Sequence, residues 1–134
     1  MICLVDSSSW IEYFRGNSRY AFINSLIMTN NICTNEIILS ELVPSIIHQK
    51  EKKLAELLNC LKKFPLLIDW QEICNIQLLN LKHGNNNIGI ADLIIAQNCM
   101  QNGLALITED KHFRTMAGYI PLEIYKEKNP GKQK

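Results

Sequence analysis

Short apolar runs alternate along the chain with longer segments whose apolar residues recur every three or four positions. The first run, Ile2 to Val5, is closed by Asp6 and a serine cluster, which predicts a strand buried on both faces and then a helix N-cap at Ser8 or Ser9. Gly16 predicts the end of that helix. A second amphipathic segment from about Ser18 to Met28 leads to a brief strand at Ile32 and Cys33. Thr34 or Asn35 can then cap a helix carrying Glu41, which Pro44 is expected to kink by removing the bond to the Ser40 carbonyl. Gln49 to Lys63 places Leu54, Leu57, Leu58 and Leu61 on one face, as a surface helix does. Pro65 to Ile68 reads as another strand, and Asp69 with Glu72 has capping-box spacing for the helix after it. Beyond the polar loop Gly84 to Asn87, a helix is expected from about Gly89 to Asn102, closed by Gly103. Strands at Leu104 to Ile107 and near Leu122 to Ile124 complete the pattern.

Strands alternating with helices imply an α/β fold: a doubly wound parallel sheet covered by helices on both faces, with ligands bound beyond the carboxyl ends of the strands. At 134 residues and 47% hydrophobic, the chain suits one domain, expected over 1–128, with a frayed basic tail at 129–134. The carboxyl edge is where chemistry is to be sought. Asp6 ends the first strand and Asp110 follows the fourth apolar run, while Glu41 and Asp92 sit in apolar stretches of the adjoining helices. A carboxylate taken into an apolar interior needs a cation, a cluster of donors or a reaction to offset its desolvation. Four converging carboxylates repel one another, and an all-oxygen set selects magnesium, or manganese, over zinc.

Simpler roles exist for two of the four. Asp6 can cap the helix in its serine cluster, and Asp110 can cap a short turn from Lys111 to Arg114. Asp92 caps a helix only if that helix starts late, and Glu41 in mid-helix would need a buried basic partner. His48, His83 and His112 are far apart and lack zinc spacing, and a structural or solvent-facing role is favoured for His112 even though it follows Asp110 by two residues. Arg15, Arg19, Lys111 and Arg114 are the best candidates for substrate contact, because their segments adjoin the expected crevice.

A formal charge of +1 excludes a protein that holds nucleic acid mainly by bulk electrostatics, so a polyanion must be gripped locally. The five cysteines form no C-x-x-C pair and read as buried free thiols of a reducing compartment. There is no basic segment leading into an apolar run and cleavage site, and no apolar run approaches the ~20 residues of a membrane span, so a soluble, cytoplasmic protein is expected.

The stretches V-D-S-S-S-W-I, I-L-S-E-L, I-G-I-A-D-L-I-I-A and L-I-T-E-D-K-H-F, in this order, resemble the acidic motifs of PIN-domain nucleases, and most of all the VapC-type toxins of toxin–antitoxin pairs. The resemblance spans nearly the whole chain and is strongest from Ile88 through Phe113. It implies a magnesium-dependent endoribonuclease that leaves 5′-phosphates, works as a homodimer and is silenced by a cognate antitoxin. Asp6, Glu41, Asp92 and Asp110 would form the metal and catalytic site, Ser8 would support Asp6 or a metal-bound water, and Thr108 would orient the last acidic loop. Asp6 and Asp92 are assigned as primary metal ligands, with Glu41 and Asp110 binding a second ion or ordering its water shell. Ser7 stands where threonine is common, and Pro44 follows Glu41 closely; neither departure removes a ligand. Two other readings are open: a PIN fold that binds RNA or protein without turnover, and a phosphoacceptor receiver domain. The latter shares the doubly wound layout but needs an adjacent pair of acids after the first strand, which this chain lacks.

Overall fold

Three buried residues after the amino terminus form β1 (Cys3–Val5), and the sheet extends from it to both sides. In this computed structural model, which describes residues 1–127, β2 (Ile32–Thr34) and β3 (Lys62–Lys63) lie on one side of β1, and β4 (Ala105–Ile107) and β5 (Glu123–Ile124) on the other. The order is β3-β2-β1-β4-β5 and every pairing is parallel, so the expected doubly wound α/β architecture holds. The chain finishes one side of the sheet before it crosses to the other.

Seven helices flank the sheet among the described residues: α1 (Ser7–Phe14), α2 (Ile23–Met28), α3 (Glu36–His48), α4 (Lys52–Cys60), α5 (Trp70–Lys82), α6 (Ile90–Asn102) and α7 (Lys111–Met116). The core joins strand residues Leu4, Val5, Cys33 and Leu106 to Trp10, Ile38, Leu93, Ile95 and Met116 from the helices. α6 is the most enclosed helix, buried without interruption from Leu93 to Cys99, and Gly103 ends it at a φ of +62°, the left-handed region open to glycine. Its two buried amides are satisfied by the chain beside it. Asn98 donates to the Pro65 carbonyl at 3.1 Å, and Gln97 both accepts from the Asp69 N–H and donates to the Asp69 carbonyl, each at 3.1 Å.

Those bonds explain the main departure from the expected elements. Residues Pro65 to Ile68 are not a strand: their backbone is held by side chains of α6, and the third strand is instead the two exposed residues Lys62 and Lys63, paired with Cys33 and Thr34. Proline cannot extend a ladder that needs its N–H, and charged residues suit an edge. The helix expected to Lys63 therefore stops at Cys60. The cap of α1 is Asp6, two residues ahead of the expected serines, because its carboxylate accepts from the Ser9 N–H at 2.8 Å. The segment from Ser18 splits into a 3-10 turn, Ser18–Tyr20, and α2. α3 continues through Pro44, where Ser40 is exposed and its freed carbonyl can turn to water. Asp69 caps α5 as expected, accepting from the Glu72 N–H at 3.2 Å. Cys3, Cys33 and Cys99 are buried free thiols, but Cys60 and Cys74 are exposed, contrary to the expectation for all five. Burial pushes the Cys33 thiol up to about 12 and that of Cys99 further still, so both stay protonated and inert. No helix among the described residues is long and apolar enough to cross a membrane. The domain limit at 128 and the tail 129–134 lie outside the described residues.

Candidate active site

The strand order reverses between β1 and β4, and the crevice beyond their carboxyl ends is the topological switch point where such sheets bind ligands. Register decides what lies there. Val5 pairs with Ile107, so the next residues, Asp6 and Thr108, emerge side by side, and the Asp6 N–H donates to the Ile107 carbonyl at 3.1 Å. Thr108 Oγ1 donates to Asp6 Oδ2 and accepts the Asp110 N–H at 3.0 Å, so one hydroxyl joins both strand-end acids. Asp6 Oδ1 takes the Ser9 N–H and, at 3.2 Å, the Ser8 hydroxyl. Thus Asp6, only 5% exposed, is held by three donors.

Asp6 and Asp110 also fill the capping roles that a simpler reading gives them. Asp110 Oδ1 accepts the His112 N–H at 2.8 Å at the start of α7 and lies 3.4 Å from His112 Nδ1. Both contacts of Asp110 fall on Oδ1, whereas both oxygens of Asp6 accept hydrogen bonds.

Glu41 and Asp92 approach from the helices. Glu41 is exposed, not buried as its apolar neighbours suggest, because Leu39 and Leu42 turn into the core while Glu41 points to solvent and accepts a hydrogen bond from Ser7 Oγ at 2.5 Å. Asp92 is half-buried in the first turn of α6. Burial raises its pKa first, and the carboxylates of Asp110, Glu41 and Asp6 raise it further, with His112 the one opposing influence. Asp6, Glu41 and Asp110 therefore all lie within electrostatic reach of Asp92.

Among the described residues no three carboxylate, imidazole or thiol side chains close tightly enough to hold one ion between them. The charges favour a cation nonetheless: Asp92 feels three carboxylates and, in return, only a histidine. Magnesium commonly keeps several waters and binds through one or two carboxylates, which this open, all-oxygen set fits. Ser7 was missed in the sequence as a donor to Glu41; its place directly after Asp6 was the available signal. His112, its side chain 44% exposed, faces solvent and also lies 3.4 Å from Asp110. Arg19 and Arg114 both bind Glu109, beside the crevice, whereas Arg15 pairs with Glu12 at 3.3 Å.

A five-stranded parallel sheet with an acidic crevice at its switch point defines the class of protein. The PIN domain family model matches residues 3–119, and the chain belongs to that family, which sets aside the receiver-domain reading. No curated protein matches the sequence. Similar solved structures include VapBC2 from Rickettsia felis bound to a DNA fragment from its promoter, with a TM-score of 0.69 and 19% identity over 93% of this chain and 98% of that one. FitAcB from Neisseria gonorrhoeae has a TM-score of 0.69 and 21% identity over 93% of this chain and 97% of that one. A toxin–antitoxin complex from Klebsiella pneumoniae has a TM-score of 0.62 and 20% identity over 91% and 99%.

Proposed function

We propose that this PIN domain is a divalent-metal-dependent endoribonuclease, acting in the cytoplasm as the VapC-type toxin of a toxin–antitoxin pair. PIN domains are generally nucleases that use divalent metals. The observation that carries the reading is the half-buried Asp92, whose pKa is raised by burial and then by the carboxylates of Asp110, Glu41 and Asp6. Asp6 and Asp92 would hold magnesium or manganese, and Glu41 and Asp110 would bind a second ion or order its waters; the metal would supply Lewis acidity and a water that ionises near neutral pH. Asp6 is the fixed member, since three donors and the sheet register hold its carboxylate. Thr108 sets Asp110 relative to Asp6, and Ser7 steadies Glu41 at the mouth.

The partners belong to the same proposal. Each of the three similar structures is named as a toxin–antitoxin system or carries both components in its name, which supports a cognate antitoxin here. A homodimer is expected, and light scattering at micromolar concentration that finds only monomer would count against it.

The function is tested by incubating purified protein with a mixed structured RNA in magnesium, in EDTA, and as Asp92→Asn. Cleavage that needs both the metal and the carboxylate and leaves 5′-phosphates is expected. Cleavage indifferent to EDTA would remove the metal mechanism, and intact RNA in every lane would favour binding without turnover.

A further inference from the structure

Thr108 also lines a cavity of about 740 Å³ that opens at the carboxyl ends of β4 and β5 and that Asp6 does not line. Its chemistry differs from that of the acidic crevice. Arg19, from the 3-10 turn, and Arg114, from α7, each reach Glu109 at 3.2 Å, one to each carboxylate oxygen, and Lys126 also lines the space. Arg114 is anchored besides by a 3.1 Å bond to the Thr108 carbonyl, so this basic group and the acidic site share one residue as a wall. Aromatic rings line the same cavity: Phe22 stacks on Tyr125 with centroids 5.3 Å apart and on Tyr20 at 6.5 Å.

Two guanidinium groups that converge on one carboxylate present the fork geometry that recognises a phosphate. Here the anion is supplied by the chain itself, from the loop between β4 and α7. Both ion pairs are exposed, with Arg19 73% and Glu109 49% accessible, and exposed pairs of this kind stabilise a fold by no more than about 1 kcal/mol. The carboxylate is therefore easily exchanged for another anion. Basic groups next to the partly exposed rings of Phe22 and Tyr125, which the buried Tyr20 backs, suit single-stranded nucleic acid, whose phosphates take the arginines and whose bases take the exposed rings. An acidic peptide would use the arginines but leave the rings unexplained. Glu127 also lines the cavity, so release of Glu109 is what turns its balance clearly positive.

We propose that this cavity is the subsite for the RNA nucleotide next to the scissile phosphate, and that Glu109 occupies it in the free protein as an internal phosphate mimic that substrate displaces. The inference rests on the ribonuclease reading above, but its test does not require cleavage.

The test is fluorescence polarisation with a short, mixed-sequence single-stranded RNA in EDTA. Glu109→Gln is expected to tighten binding roughly threefold and Arg19→Ala to weaken it roughly tenfold, with the salt dependence of log K falling by about 0.7 for the lost phosphate contact. A gain on Glu109→Gln cannot come from misfolding. Glu56→Gln, which removes an exposed charge on α4, is the control and should leave affinity unchanged. Equal gains from Glu109→Gln and Glu56→Gln, or an Arg19→Ala variant with wild-type affinity and salt slope, would overturn the proposal. So would binding of a polyglutamate peptide that depends on Arg19 while RNA binding does not. A protein that cleaves RNA with these variants unchanged loses only the subsite; the expected shifts without cleavage in the magnesium assay lose only the nuclease reading.

Discussion

The strand-borne and helix-borne halves of the acidic site are built in opposite ways. Asp6 and Asp110 are fixed by sheet register, by two helix caps and by the Thr108 hydroxyl between them. Glu41 and Asp92 lie on separate helices; one is exposed with a single hydroxyl donor, and the other has its ionisation set by burial and repulsion. The strand side is thus held by protein donors, whereas on the helix side burial and acidic neighbours disfavour the charge of Asp92. Preorganisation resides in the sheet, and under the proposed function a cation would relieve the helix side.

Asp6→Ala should break both functions of the strand side at once. We expect cleavage to fall by about 100-fold or more, and stability by about 1–3 kcal/mol through loss of the cap and of the Thr108 partner. Urea denaturation alongside the RNA assay reads both, and an inactive variant of unchanged stability would put Asp6 with the helix acids. Asp92→Asn should lose a comparable share of activity yet stabilise the metal-free fold. The Asp92 pKa is raised in the fold, so the folded protein holds this proton more tightly than the unfolded chain. The stability this brings is full below the ordinary value of 3.8 and is lost as pH rises through the folded pKa. At neutral pH without metal, Asp92→Asn should melt roughly 1–3 °C above the wild type, a small gain because solvent screens a half-buried group, and the gap should close in acid. A lower melting temperature for the variant would contradict the repulsion.

Thr108→Val tests the link between the strand acids. Removing its hydroxyl leaves Asp6 Oδ2 and the Asp110 N–H without their partner, for a loss of about 1–3 kcal/mol in urea, and Thr108→Ser should restore most of it. Ser7→Ala should have the smallest effect: stability within about 0.5 kcal/mol, because the contact is exposed, and a loss of cleavage below tenfold. A Ser7→Ala variant as impaired as Thr108→Val would show that Glu41 is held as tightly as Asp6.

The strand side was also the legible side. An apolar run that stops at Asp6, and another that stops before Thr108, already fix which residues reach the carboxyl edge once the strands are parallel. The helix side was half legible: the apolar neighbours of Glu41 marked its helix but not the face it occupies, so a residue expected to be buried is exposed. β3 escaped notice because Lys62 and Lys63 carry no strand signal of their own and pair only because Cys33 and Thr34 wait beside them. The Ser7–Glu41 and Arg19–Glu109 contacts join residues 34 and 90 positions apart, which no local pattern records.

That Asp6, Glu41, Asp92 and Asp110 together hold divalent metal is tested most directly, and without reference to catalysis, by manganese titration followed by electron paramagnetic resonance. Saturable binding by the wild type is expected, weakened at least roughly tenfold in both Asp6→Asn and Asp92→Asn. Manganese bound with wild-type affinity by both variants would contradict it.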